Sequence, residues 1–248
     1  MNLNLLDYAI LLTIAVFVVA GIHNGFLVSI LNNAAYLLSL VAAYIFHPAV
    51  SAMLMNRYDD LYTSIVYYAE GEEKLAFLEQ AKIPIQNLSP DGLNKIVEGS
   101  GSALPQPVDN LIVSNIQNQV FADNGATTIG DYYNHTIACF VINVFAFLLL
   151  FIVVKAVLGF VIHGLDYVTK FPVLRQFDGI LGGAMGFLQS ILILYIVFTL
   201  VPAAVVLMPA SDKAAASSNL ITDFIRASKF GTMFYEHNFI LSMIKGFF

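Results

Sequence analysis

Charge is what this chain has least of. Of 248 residues only 11% are Asp, Glu, Lys or Arg and 58% are apolar, against roughly 25% charged in an average soluble domain. So little charge cannot cover the surface of a water-soluble globule, and the chain reads as an integral membrane protein. Basic residues are scarcest, 11 in all with none before Arg57. The apolar stretch from Tyr8 to Ile22 therefore lacks the positive n-region of a secretory signal and is expected to be a membrane span. No basic stripe exists to displace phosphate counterions, which excludes a nucleic-acid partner. Cys139 is the single cysteine, so an intrachain disulfide and a cysteine-based zinc site are excluded. Catalytic signatures are missing too: no His-Glu-x-x-His, no Gly-x-Ser-x-Gly and no dinucleotide fingerprint occurs. A protein without enzymatic activity, cofactor or metal is expected.

What the chain has in quantity is apolar runs. Four are long enough for a hydrocarbon core of about 30 Å: Leu5 to Gly21, Gly25 to Phe46, Thr136 to Val154 with a continuation toward Ile162, and Ile180 to Met208. The last carries no charged residue in 29 positions. It opens with two small-xxx-small tracks, Gly179 with Gly183 and Gly182 with Gly186 and Ser190, where the lack of side chains lets another backbone approach. Gly21 and Gly25, flanking the first turn, join them as packing glycines. Asp7 is expected at the headgroup level, and Lys155 is expected to snorkel there. Asn32 and Asn33, among alanines of the second span, are expected to face another helix.

Between the spans the composition changes. Residues 47 to 135 hold eleven acidic residues against Arg57, Lys74, Lys82 and Lys95, and they read as an acidic, mostly helical insertion outside the bilayer. Helical spacing is visible from Leu54 to Ala69 and from Val108 to Val120, and Ser89 or Asp91 could cap helices. His47-Pro48 is expected to end the second span, and Pro202 and Pro209 the fourth. Apolar positions recur on one face over Ser217–Lys229 and Phe234–Gly246, giving an amphipathic C-terminal segment lying in the membrane interface. The expected plan is all-α: spans one and two over 1–46, insertion over 47–135, spans three and four over 136–209, and the C-terminal segment over 210–248. Lys155, Lys170 and Arg175 put the short turns in the cytoplasm, and the termini and insertion outside it.

An early Asp7, the Gly25-Phe26 turn and Asp178 through Leu181-Gly182 to Gly186 together resemble the colicin V production (CvpA) family of bacterial membrane proteins. The resemblance covers residues 1–46 and about 136–208. The family usually has Arg-Gly at the first turn and Gly-x-x-Arg-Gly in the last span. Here Asn24-Gly25 and Gly186-Phe187-Leu188-Gln189-Ser190 stand there, which makes this a divergent member with a long insertion. The resemblance implies a bacterial inner-membrane protein needed for toxin production or export. Expected partners are the lipid bilayer and either a membrane protein or further copies of the chain.

Remaining polar residues admit two readings. His23, His47, His135 and His163 at span ends could pair for a metal or for pH sensing, but without carboxylates at ligand spacing they read as interfacial rings. Asp166, Lys170, Arg175 and Asp178 read as a turn held at the headgroups. Asn32, Asn33, Asn143 and Gln189 are helix-to-helix hydrogen-bonding groups if the protein is a scaffold. They line a polar path if it is a channel or transporter component.

Overall fold

The computed structural model of the chain describes residues 3–69, 81–87, 92, 106–165, 178–208 and 220–244. Among these the regular structure is helical, with one isolated antiparallel bridge between Pro84 and Thr128. The main helices are α1 (Leu5–Asn24), α2 (Phe26–Arg57), α3 (Asp59–Ala69), α4 (Gln106–Gln117), α5 (Ile129–Leu165), α6 (Asp178–Val206), α7 (Lys229–Glu236) and α8 (Phe239–Met243). Residues 220–226 are also helical. α1, α2, α5 and α6 are long and apolar enough to cross a membrane. The protein is thus an all-α integral membrane protein, with four spanning helices among the described residues.

Four boundaries differ from the sequence expectation. α2 does not stop at His47-Pro48 but continues to Arg57. Pro48 has no N–H for the carbonyl of Tyr44 four residues back, and the His47 ring fills the gap. Its Nδ1 lies 2.9 Å from the Tyr44 carbonyl oxygen and 3.1 Å from that of Ala43. Because a carbonyl only accepts, Nδ1 carries the proton. The edge of the ring faces Phe147 at 5.8 Å. An expected interfacial histidine is instead buried inside a helix that it keeps continuous.

α5 begins at Ile129, not Thr136. Asp131 Oδ2 accepts the N–H groups of Thr127 and Thr128 at 3.0 and 2.9 Å, and Thr128 Oγ1 accepts Asp131 N–H at 3.2 Å. This reciprocal capping box starts the helix before the apolar run. α6 runs through Pro202 to Val206. At the C-terminal end, Phe234–Gly246 is not one helix. α7 ends at Glu236, α8 begins at Phe239, and Lys245 and Gly246 lie outside the described residues, as do Ser89 and Asp91.

The chain forms two compact units: Met1–His47, Ala146–Phe198 and Ile225–Asn238 make one; Pro48–Phe145, Thr199–Phe224 and Phe239–Phe248 make the other. The first half of α5 folds in the same unit as α3 and α4. Residues 136–144 of α5 are buried on every face, the mark of a central helix. α4 supplies buried Val108, Ile112 and Ile116, and its Asn115 donates from Nδ2 to Thr136 Oγ1 at 3.0 Å. Phe121 stacks on His135 at 5.3 Å and meets Tyr132 edge-on at 5.8 Å. Tyr62 of α3 bonds His135 Nδ1 through its hydroxyl at 2.6 Å. Burial pushes that hydroxyl's pKa well above the usual tyrosine range, so it stays protonated and donates.

Candidate functional site

The first unit concentrates the singled-out residues. α1 ends at Gly25, whose φ of +80° suits glycine alone. The turn brings Phe26 N–H to Asp178 Oδ1 at 2.7 Å, so the first residue of α6 caps the start of α2. A Cβ at Gly25 would strike the same carboxylate.

From that turn α1 and α6 run in contact, and the two glycine tracks do different things. A Cβ at Gly182 would meet the carbonyl oxygen of Gly21, a Cβ at Gly21 that of Gly182, and a Cβ at Gly186 that of Phe17. Here backbone touches backbone. Along the other track only side chains stand opposite: the Cβ position of Gly183 lies 2.9 Å from Ile22 Cγ1, and that of Gly179 lies 3.6 Å from Ile22 Cγ2. Ser190 is buried but bonds within its own helix, donating to the Phe187 carbonyl at 2.6 Å.

Polar side chains extend the contact. Asn33 is 3% exposed and donates from Nδ2 to the Met185 carbonyl of α6 at 2.8 Å. Ser29 Oγ reaches the Gly21 carbonyl at 3.4 Å. Asn32 and Gln189 are half-buried. Asn143 is buried in the other unit. Asp166, Lys170 and Arg175 lie outside the described residues, as does the side chain of His163. His23 is exposed in the last turn of α1. No group of three or more His, Cys, Asp or Glu among the described residues is placed to hold a metal.

Two side chains depart from expectation. Asp7, expected at the headgroups, is 1% exposed. It closes a capping box with Asn4, Oδ2 accepting Asn4 N–H and Asn4 Oδ1 accepting Asp7 N–H, both at 3.0 Å. Its Oδ1 accepts Ser228 Oγ–H at 2.7 Å and Phe230 N–H at 3.1 Å, while Ser228 Oγ accepts Gly231 N–H at 2.8 Å. One carboxylate thereby caps two helices, its negative charge set at the positive end of α7. Phe234 of α7 packs on Tyr195 and Phe198 at 4.9 and 5.8 Å, and Asn238 Nδ2 donates to the Tyr195 carbonyl at 3.0 Å. This part of the C-terminal segment is docked on the first unit by a polar anchor and an aromatic one. A serine before an apolar run is a helix-start signal, and at Ser228 it could have been read.

Lys155 is the second departure. Its ammonium does not reach for an end of the helix but lies over the ring of Tyr36, 4.3 Å from the centroid, beside Phe151 at 6.0 Å from the same ring. A cation over an aromatic face gains roughly 0.5–2 kcal/mol, more where water is excluded.

The arrangement suits holding helices in fixed register. No curated protein and no solved structure matches the chain significantly. The family described as colicin V production protein matches residues 113–237, from within α4 to just past α7. Asp178 to Gly186 and Ser228 to Tyr235 fall inside that match; Asp7 and Gly25-Phe26, which carried part of the resemblance, lie before it. Matched over half its length by this family and built on four membrane-spanning helices, the chain belongs to the colicin V production protein family.

Proposed function

We propose that the protein is a non-enzymatic membrane scaffold, accessory to the production or export of a colicin V-like toxin. The observation that carries this reading is how the polar groups of the first unit are used. Asp7, Asp178, Ser29 and, through Nδ2, Asn33 are each bonded to another part of the same unit, and such bonds fix one helix against the next. The family is not a known enzyme family. The site of action is the bacterial inner membrane, with short turns in the cytoplasm and the termini outside it. Work is done by contact with a membrane partner or with further copies.

Crosslinking in intact cells, purification in mild detergent and mass spectrometry test this. A stoichiometric membrane protein needed for toxin release is the expected result. A homo-oligomer with no partner, together with solute flux in vesicles that Asn33→Ala alters while assembly persists, would replace the scaffold with a channel.

A further inference from the structure

We propose that Lys155 is the docking point for a transmembrane helix of another protein, one that carries a carboxylate at mid-membrane depth. The inference rests on the accessory reading above and names the chemistry of the partner.

Depth comes first. Tyr36 lies ten residues into α2 from Phe26, about 15 Å of helix at 1.5 Å per residue. That is half of a hydrocarbon core of about 30 Å. The Lys155 ammonium sits on the ring of Tyr36, so with the α1–α2 turn at one membrane surface its charge lies near the middle of the bilayer. Charges in spans are rare, costly and normally paired.

Among the described residues no carboxylate pairs with Lys155. An ammonium has three N–H donors, and the ring of Tyr36 supplies a π face but no carboxylate. Among the described residues, the ion pair formed is Arg226 with Glu236, at 3.5 Å. The acidic residues of the other spans are engaged elsewhere: Asp7 with Ser228 and Phe230, Asp178 with Phe26 at the end of its helix. Among its described span residues, a second copy of this chain therefore brings no free carboxylate to this depth. Phosphates of lipid headgroups lie at the surface, about 15 Å away.

The surroundings can receive a helix. Lys155 is half-buried at the edge of an outward face of α5 on which Ile152 is 62% and Phe160 81% exposed. An apolar helix bearing one Asp or Glu matches this face in both apolarity and charge, and in a low-dielectric setting the ion pair would fix its register.

The test places a photo-crosslinking amino acid at Ile152 in intact cells, with a second probe at Val19 on the outward face of α1. Expected is a protein adduct at 152 whose contacting span contains Asp or Glu. Lys155→Met should reduce the yield by roughly tenfold or more, while Lys155→Arg retains it and both variants accumulate normally. Lys155→Glu combined with Lys at the partner's acidic position should restore the adduct. An undiminished adduct in Lys155→Met, a partner span without a carboxylate, or lipid adducts alone at 152 would overturn the proposal. In each of those cases a protein adduct at 19 would leave the accessory reading standing. No protein adduct at either position would count against both.

Discussion

The two compact units hold their helices by opposite means. In the first, side chains are removed so that the α1 and α6 backbones touch at Gly21, Gly182 and Gly186, and Asp7 and Asp178 cap helices other than their own. In the second, space is filled by rings: Phe121 and Tyr62 pack on Tyr132 and His135 at the start of α5, whose following residues are buried on all sides. Lipid tails are as apolar as leucine, so helices in a membrane gain little from burying apolar surface and depend on close packing and hydrogen bonds. The first unit meets that demand directly. The difference is one of tolerance, because a backbone cannot move aside for an added methyl whereas a ring can shift its rotamer.

The largest effect should follow from breaking the rigid contact. Gly186→Leu must displace the Phe17 carbonyl, and overpacking of this kind costs about 1–3 kcal/mol or more; membrane accumulation of the variant should fall severalfold by immunoblot. Asp7→Ala comes next. It removes the acceptor for Ser228 and Phe230 and opens the box at Asn4, leaving the donors of a charge-assisted acceptor unpaired. Limited proteolysis should then cut first near residues 225–238 while the spans stay protected.

His47→Phe keeps a ring against Phe147 but leaves the Tyr44 carbonyl opposite Pro48 unbonded, at about 1–3 kcal/mol. Thermal unfolding in detergent should shift down accordingly. Tyr62→Phe gives the smallest change, about 1 kcal/mol for one hydrogen bond. The raised pKa of Tyr62 fixes the sign of its pH dependence: the bond's contribution is present below the ordinary tyrosine value of about 10 and lost only above it. With His135 neutral as the acceptor, the difference between Tyr62→Phe and the parent should thus be flat from about pH 7 to about pH 9.

Much of this comparison was legible before any coordinates. Four apolar runs gave four spans, because the length needed to cross lipid is local information. The glycine tracks were visible for the same reason, though spacing could not tell that one track meets backbone and the other only Ile22. What was misread depended on distant partners. Asp7 looked interfacial because Ser228, its partner, is 221 residues away. His47-Pro48 looked like a helix end because proline orphans a carbonyl, and no pattern announces that the histidine beside it fills the gap. The start of α5 was hidden because Asp131, Tyr132 and His135 read as exterior residues, whereas the first is a cap and the others join a ring cluster.

The central claim is that the α1 and α6 backbones touch along the Gly182 and Gly186 track alone, and one paired measurement tests it. Gly182→Ala and Gly179→Ala add the same single methyl three residues apart on one helix. If the account holds, Gly182→Ala loses membrane accumulation and melts earlier in detergent, because its methyl meets the Gly21 carbonyl. Gly179→Ala should match the parent, because its methyl meets Ile22 at an ordinary 3.6 Å. Equal behaviour of the two, or greater harm from Gly179→Ala, would contradict it.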